Sequence, residues 1–432
     1  MRIRQPQRLS VRLAGLLCVF ILAACQGSES KSSISIADPA ALDKVLDDYV
    51  AADAFPFLYA RIEDKQGRLI YEHGAVNPEV LPGVEVNGQT WIRIWSMSKI
   101  VTISTLLDLV EDDLLSLDDP VTKFIPEFEA LQVAVSPDGA DLSVIEDKAA
   151  ACPLQLVPVE SAMTVRDLIN HQAGFHYATT GIACLDSLMA SSNLPMAENS
   201  QALVDLMAEL PLIQQPGTND FYGTNTTVLG IVAERVSGKS LKQLVTERVT
   251  GPLQIEGLQY GLPKGASLLP RMSAADGAFR EAHRGELDIF GPDVPDYDPD
   301  HELYLGGEGM LGTADGYADF LRMLLSRGEL NGHRLLEVAT IDDITSPHTQ
   351  LDSPYGYNGY NLWVNNGKRP DGSEGEGGLW IGGGYEGTHF WIDPKREFVT
   401  VVMTQTFGTP EFGWDRDEEF REAVYEQIRT AD

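Results

Sequence analysis

The segment from Trp91 to Leu107 constrains the fold most, because a short apolar strand runs directly into an amphipathic helix. Apolar side chains recur at helical spacing along this helix and place one face in a core, at Ile100, Ile103, Leu107 and Val110. Ser96 stands at the junction, and Lys99 follows one turn later on the same face. The sequence therefore predicts a strand-to-helix turn that holds a hydroxyl beside an amine.

This pairing is typical of a nucleophile and its base. A serine hydroxyl becomes a good nucleophile when a base takes its proton. A lysine that is desolvated against an apolar face can lose its own proton and serve as that base. The helix N-terminus adds backbone donors where an oxyanion would form. Ser28-Glu29-Ser30-Lys31 has the same spacing in a polar stretch, so only the context of Ser96 favours catalysis over a helix-capping serine with a solvated lysine.

The first 24 residues have the features of a secretion signal. Four early arginines precede an apolar run from Leu13 to Ala24 that is short for a membrane span. Leu22-Ala23-Ala24-Cys25 resembles the lipobox of bacterial lipoproteins, which implies cleavage before Cys25, acylation of that cysteine and a membrane anchor. With Gln26 next, the resemblance implies the outer membrane of the bacterial cell envelope, facing the periplasm. A plain secretory signal is the alternative.

Charge and cysteine content narrow the possible partners and the compartment. The net charge of −32 repels nucleic acid and anionic lipid headgroups, so no nucleic-acid partner is expected. Beyond Cys18 and Cys25, the chain has Cys152 and Cys184. Two cysteines in an oxidising periplasm can pair, and we predict a disulfide between them; two separately buried thiols are the alternative.

Hydrophobic periodicity and turn residues predict the main elements. Helices are expected at 40–52, from Ser96 to about 112, at 202–210, 226–236, 313–325 and 418–429, and another follows a capping box at Thr164. Hairpins are expected at 57–74 and 388–403, whereas 131–160 and 262–303, rich in Pro, Gly and Asp, are expected as long loops. The predicted organisation is a signal peptide (1–24), a flexible tether (25–37), an α/β domain (38–120 and 305–432) and a mostly helical insertion (121–304).

Several motifs in a fixed order resemble the serine β-lactamase-like superfamily, whose members include class C β-lactamases, D-alanyl-D-alanine carboxypeptidases and family VIII carboxylesterases. The motifs are Ile94-Trp95-Ser96-Met97-Ser98-Lys99 through Leu117-Asp118-Asp119-Pro120-Val121, the segment 163–174, and Gly306-Gly307-Glu308-Gly309-Met310 with the five residues that follow. The resemblance covers most of residues 40–425. It implies an α/β fold with an antiparallel sheet flanked by helices, and it makes Ser96 the nucleophile and Lys99 its base partner.

The family's second motif is typically Tyr-x-Asn, and it falls on Tyr222-Gly223-Thr224. The resemblance therefore implies that Tyr222 relays protons between the nucleophile and the leaving group, since a nearby ammonium favours the phenolate. A tyrosine packed at a helix start is the alternative. Thr224 replaces the motif's asparagine, and the adjacent Asn225 is counted among the substrate-binding residues.

The third motif is Lys-Thr-Gly in lactamases and His-x-Gly or Trp-x-Gly in esterase-like members. Counting back from Asp393-Pro394 places it on Gly382, Gly383 and Gly384. The first position thus lacks the cation that in lactamases helps to hold the substrate carboxylate. Glycines allow a backbone to approach an acyl group closely. The amide of Tyr385 is then expected to join that of Ser96 as an oxyanion hole.

Other enzyme classes find no support in the sequence. G-x-S-x-G, H-E-x-x-H and a phosphate-binding G-x-x-x-x-G-K-[ST] are absent, His171 is expected to be structural, and neither a metal nor a cofactor is expected. The sequence predicts a serine hydrolase that forms an acyl-enzyme at Ser96, with a carboxylesterase for small neutral esters favoured. A β-lactamase or D-alanyl-D-alanine carboxypeptidase that acts on cell-wall material, and a non-catalytic binding protein that retains the fold, are the alternatives.

Overall fold

The chain alternates helices and strands from Ile34 to Thr430. A computed structural model describes residues 34–283, 285–286, 289, 297–298, 300–351, 356–369, 372–408 and 414–430, without the side chains of 350 and 414–417. The predicted signal peptide and Cys25, the predicted acylation site, lie outside these residues.

Most helices coincide with the segments that hydrophobic periodicity predicts. They are α1 (Pro39–Ala51), α2 (Ser98–Glu111), α3 (Val165–Ile169), α4 (Ala183–Ser192), α5 (Ser200–Ala208), α6 (Asn225–Ser237), α7 (Leu241–Leu244), α8 (Ala314–Leu325), α9 (Val338–Ile344) and α10 (Trp414–Gln427). The predicted capping box at Thr164 opens α3, and the side chain of Thr313 caps α8. Within the described ranges, every helix is too short or too polar to cross a membrane.

The strands range from two to ten residues. They are β1 (Ile34–Ile36), β2 (Phe57–Asp64), β3 (Leu69–Val76), β4 (Ile92–Arg93), β5 (Gln132–Val135), β6 (Gln155–Pro158), β7 (Leu258–Tyr260), β8 (Met272–Ser273), β9 (Arg280–Glu281), β10 (Met310–Gly312), β11 (Glu329–Leu330), β12 (His333–Arg334), β13 (Thr349–Gln350), β14 (Tyr357–Asn358), β15 (Trp363–Lys368), β16 (Glu374–Gly383), β17 (His389–Asp393), β18 (Phe398–Met403), β19 (Thr406–Phe407) and β20 (Ile428–Thr430).

An eight-stranded antiparallel sheet forms the centre, in the order β13-β14-β15-β16-β17-β18-β2-β3. Both predicted hairpins, β2–β3 and β17–β18, belong to it. Along β2, Leu58, Ala60 and Ile62 pack on the same side as α1 and α10, while Phe57 and Tyr59 belong to the core on the side of α8. This alternation buries both faces of the sheet. The predicted antiparallel sheet flanked by helices is confirmed.

Residues 121–304 contain α3 to α7, but each of the two predicted long loops also contains a pair of strands. The short strands β8 and β9 pair antiparallel within 262–303. Strands β5 and β6 form an antiparallel hairpin within 131–160. The reason is burial: Val133 and Ala134 lie in apolar clusters, a signal that the surrounding Pro, Gly and Asp residues obscure in the sequence. The predicted disulfide is confirmed, because Cys152 and Cys184 are bonded, with their Cα atoms 6.1 Å apart.

The predicted tether ends earlier than its expected limit at residue 37. Strand β1 pairs with β20 near the carboxyl end of the chain, and Ile34 is buried in the core beneath α1. Burying the apolar side chain of Ile34 is favourable, and this holds residues 34–36 against the folded domain rather than in the tether. Residues 25–33 lie outside the described part of the chain.

A second, small sheet positions the residues on which function depends. Strand β10 pairs on one side with β4 and on the other with β7. Since Ser96 follows β4 and Glu308 precedes β10, this pairing brings two segments more than two hundred residues apart into contact.

Candidate active site

Ser96 lies in a single 3₁₀ turn, Trp95–Met97, between β4 and α2. Trp95 is fully buried and has φ of 46°, a left-handed conformation that is costly for a residue with a Cβ and is held by its surroundings. Two hydrogen bonds hold the turn: the Tyr317 hydroxyl donates to the Met97 carbonyl at 2.9 Å, and the Met310 amide donates to Ser98 Oγ at 3.1 Å. The strand-to-helix junction is thus confirmed, although the α-helix proper begins at Ser98.

Lys99 is completely buried, and its ammonium contacts four oxygen atoms. Its Nζ lies 3.1 Å from Ser96 Oγ, 2.9 Å from the Tyr177 hydroxyl, 3.0 Å from the Gly307 carbonyl and 3.3 Å from Glu308 Oε1. An ammonium has three protons, so these acceptors satisfy it without water. The spacing of Ser96 and Lys99 in the sequence therefore brings their reactive atoms within hydrogen-bond distance.

The protonation state of Lys99 differs from the expectation of a deprotonated base. Burial lowers the pKa of the amine, but electrostatic interactions and hydrogen bonds with Tyr222 and Glu308 outweigh it, so that the pKa of Lys99 is raised. The sequence did not reveal a carboxylate beside the amine. At rest, Lys99 is an ammonium that donates to Ser96 rather than an amine that removes its proton.

Glu308 connects Lys99 to two hydroxyl groups. Like Lys99, the Glu308 side chain is completely buried. The Tyr177 hydroxyl donates to its Oε1, and the Thr227 hydroxyl donates to its Oε2 at 2.6 Å. Burial and the charge of Glu308 raise the pKa of Tyr177 well above its ordinary value, which keeps it a phenol. We call Lys99, Glu308, Tyr177 and Thr227 the buried charge cluster.

Sequence reasoning did not identify Tyr177 or Glu308 as functional. Their partners are 78 and 209 residues from them in the chain, so no local pattern links them. One signal was present: Glu308 is a single carboxylate within Gly306-Gly307-Glu308-Gly309-Met310, a segment that is otherwise small or apolar. A charge in such a segment is rarely buried unless it is paired.

Tyr222 faces the same amine from the open side. Its side chain is 41% exposed, and Lys99 Nζ lies 4.9 Å from the centre of its ring. The ring stacks on His171 at 4.7 Å. Gly223 allows this position, since a Cβ there would come within 2.2 Å of the Phe175 carbonyl. Tyr222 thus lies beside Lys99 and lines the same pocket as Ser96, while its proton-relay role stays a prediction.

His171 supports this ring and holds Asn225 away from the substrate side. Burial and the nearby Lys99 together lower the pKa of His171 to about 3, so the imidazole is neutral. The Asn225 amide lies 3.1 Å from His171 Nδ1 and donates to the Phe175 carbonyl at 3.2 Å. Asn225 is fully buried and is not among the residues that line the pocket beside Ser96, where we had expected it.

The third motif is divided between packing and the site. Gly383, Gly384 and Tyr385 line the pocket together with Ser96. A Cβ at Gly384 would come within 2.5 Å of the Ile94 carbonyl, so glycine lets the end of β16 lie against the Ser96 turn. Gly382 instead faces the Phe390 ring, which a Cβ would meet at 2.5 Å, and it does not line the pocket.

A pocket of about 620 Å³ opens beside Ser96. Its lining is mostly aromatic or apolar and includes Ile169, Tyr222, Leu351, Trp363 and Tyr385. Among the described residues that line it, Asp220 is the only charged side chain, and none is lysine or arginine. The pocket therefore lacks a cation to hold a substrate carboxylate, as the glycines of the third motif predict. We call it the substrate pocket.

Comparisons with known proteins agree with this geometry. The chain is 29% identical to the acyltransferase calJ of Penicillium decumbens over 67% of this chain and 64% of that protein. It is 28% identical to the lovastatin esterase of Penicillium rubens, over 66% and 67% of the two chains. Its fold matches that of EstCE1, described as a hydrolase with promiscuous acyltransferase activity, with a TM-score of 0.69, 20% identity, and 89% and 98% of the two chains covered.

The family model for beta-lactamase matches residues 42–424, which is most of the chain and includes both Ser96 and Tyr385. The match spans the central sheet, the helices on both of its faces and the substrate pocket. The chain therefore belongs to the beta-lactamase family, and it is an enzyme of the serine β-lactamase-like superfamily.

Proposed function

We propose that this protein is a carboxylesterase that acts on neutral esters through an acyl-enzyme at Ser96. The observation that carries the proposal is the 3.1 Å hydrogen bond between Lys99 Nζ and Ser96 Oγ at the wall of a pocket that holds no cation among its described residues. The hydrogen bond from the ammonium stabilises the negative charge on Ser96 Oγ as its proton leaves, and the pocket suits an uncharged acyl or alcohol group.

The reaction proceeds in two stages, acylation of Ser96 and hydrolysis of the acyl-enzyme. The phenolate form of Tyr222 accepts the Ser96 proton and becomes a phenol while Ser96 Oγ attacks the ester carbonyl, and the ammonium of Lys99 stabilises the negative charge that moves from Tyr222 to the oxyanion. The tetrahedral intermediate collapses as the bond to the alcohol breaks, and the alcohol leaves with the proton from Tyr222. Water then attacks the acyl group with Tyr222 as base, which releases the acid and restores Ser96.

The oxyanion of each intermediate requires donors on the other side of the carbonyl. We assign this role to the amides of Ser96 and Tyr385, because Gly384 holds the end of β16 against the turn that carries Ser96. The edge-on contact of the Tyr385 and Trp95 rings, with centroids 5.6 Å apart, fixes the two segments to each other. Preorganised donors of this kind typically contribute a factor of about 100 to 1,000 in rate.

Two alternatives share the same acyl-enzyme. A β-lactamase or D-alanyl-D-alanine carboxypeptidase requires a site for a substrate carboxylate, and the substrate pocket offers Asp220 instead, which repels one. Transfer of the acyl group to a second alcohol rather than to water fits the same chemistry, and the similarity to calJ favours including it in any test. The first alternative differs from the proposal in the substrate that acylates Ser96, and the second differs in the molecule that removes the acyl group from it.

The full-length protein in detergent tests the proposal directly. We expect turnover of p-nitrophenyl butyrate and little turnover of nitrocefin or a D-Ala-D-Ala peptide. When a primary alcohol is added, formation of its ester shows that acyl transfer to the alcohol competes with hydrolysis. Ser96→Ala should reduce ester turnover by about 1,000-fold or more. Ester turnover that persists in Ser96→Ala would exclude Ser96 as nucleophile. Labelling of Ser96 by a phosphonate probe without turnover of any substrate would instead favour a binding protein.

We also propose that the enzyme is a lipoprotein of the bacterial cell envelope, anchored through Cys25. The lipobox resemblance and the disulfide, which suits an oxidising compartment, support this location. Incorporation of labelled palmitate into the wild-type protein but not into Cys25→Ser tests it. Equal labelling of the wild type and Cys25→Ser, or labelling of neither, would contradict a lipid anchor at Cys25.

A further inference from the structure

Glu308 is the one carboxylate in the buried charge cluster, and the mechanism proposed above gives it no step. It has no solvent contact, yet three groups donate to it: Lys99 and Tyr177 to Oε1, and Thr227 to Oε2. A buried carboxylate is costly unless such donors compensate for its lost water. Here Lys99, Tyr177 and Thr227 supply those donors, so both oxygens of the buried carboxylate are hydrogen-bonded.

Glu308 also distinguishes the two tyrosines beside Lys99. The Tyr177 hydroxyl lies 2.9 Å from Lys99 Nζ, as a proton acceptor would, but its own proton is given to Glu308. A phenol that donates to a buried carboxylate cannot also accept the Ser96 proton. Both tyrosines line the substrate pocket, but the proton of Tyr177 is committed to Glu308, which leaves Tyr222 as the tyrosine whose phenolate can accept the Ser96 proton.

We propose that Glu308 is a positioning residue that fixes Lys99 as an ammonium beside Ser96 and assigns the proton relay to Tyr222 rather than Tyr177. The proposal rests on the proposed acyl-enzyme chemistry at Ser96. Glu308 acts through Lys99 and Tyr177 and does not touch the substrate, since it is not among the residues that line the pocket.

The pH profile of ester hydrolysis separates this role from simple structural support. Removing the negative charge in Glu308→Gln favours the deprotonated form of Tyr222, the neighbouring group that must lose its proton before it can act as the base. The limb on which kcat/KM rises with pH should therefore move toward acid by about one pH unit or more. At the plateau, kcat should fall by about tenfold or more, because the ammonium is no longer held in place.

Two variants serve as controls for charge and for packing. Thr227→Val removes one hydroxyl from the same carboxylate but keeps its charge, so the limb should stay within about 0.3 pH unit of the wild type even if the rate falls. Glu308→Asp keeps the charge but shortens the side chain, so it should lower kcat with a smaller shift of the limb. A lower rate in Glu308→Gln with an unmoved limb, or a limb that moves toward alkaline pH, would overturn the proposal.

A buried lysine without its partner can prevent folding, and stability then provides the test. If Glu308→Gln does not fold, Lys99→Met with Glu308→Gln should restore much of the lost thermal stability, because both charges are removed together. A double variant no more stable than Glu308→Gln would overturn the pairing. A failure of the proposed function can be told apart from a failure of this proposal. If the wild-type protein is not acylated at Ser96, the proposed function is wrong, and this is known before any Glu308 variant is measured.

Discussion

The two sides of Ser96 differ in how they treat charge. On one side the buried charge cluster excludes water and satisfies Lys99 entirely with protein oxygens. On the other side the substrate pocket is open, aromatic and, among its described residues, free of cations. The catalytic charge is therefore set by the protein before the substrate binds, while selection of the substrate depends on shape and on the absence of charge. Each prediction below tests one side against the other.

The largest difference in kcat is expected between substitutions of the two tyrosines beside Lys99. Tyr222→Phe removes the proposed proton relay and should lower kcat by about 100-fold or more. Tyr177→Phe removes a donor to Glu308 without removing the relay, and should lower kcat by about tenfold or less. Steady-state hydrolysis of p-nitrophenyl butyrate compares them. The reverse order would place the proton relay inside the buried charge cluster.

Gly384→Ala should have the next largest effect. The new Cβ would meet Thr388 Oγ1 and the Ile94 carbonyl, so the end of β16 must move away from the Ser96 turn. A displacement of this size near the oxyanion donors should reduce kcat/KM by about 10 to 100-fold. Gly375→Ala, within β16 itself, is the control, because its nearest neighbour is the flexible Arg369 side chain at 3.3 Å. If both variants retain full activity, the third motif does not position the oxyanion hole.

Asp220 should have the smallest effect, limited to charged substrates. The wild-type enzyme should hydrolyse a neutral ester about tenfold faster, in kcat/KM, than an ester of matched size that carries a carboxylate. Asp220→Asn should narrow this ratio by about threefold and leave hydrolysis of the neutral ester nearly unchanged. A wild-type preference for the carboxylate ester would contradict a neutral pocket and return β-lactams and peptides to consideration.

Most of the fold could be predicted from the sequence, because local periodicity encodes it. The apolar positions of α2, α6 and α8 and the two β-rich hairpins lie on single segments, where a pattern of a dozen residues suffices. The hairpin β5–β6 could not be predicted, since its strands depend on distant apolar clusters and lie among turn-forming residues.

The site divides in the same way. Ser96 and Lys99 are neighbours on one turn, so their contact follows from the helix period, and Tyr222 follows from a motif of the family. Glu308 and Tyr177 reach Lys99 only through the pairing of β4 with β10 and the packing of the insertion. The raised pKa of Lys99 depends on Tyr222 and on Glu308, both distant in the chain, so the protonation state could not be predicted from the local sequence alone.

The most direct test of the account is the mass of the Ser96 peptide from enzyme quenched during turnover of p-nitrophenyl butyrate. The account predicts a butyryl adduct on Ser96 in the wild-type protein, slower accumulation in Tyr222→Phe and no adduct in Ser96→Ala. Ester hydrolysis with Ser96 unmodified, or with the acyl group on another residue, would contradict it.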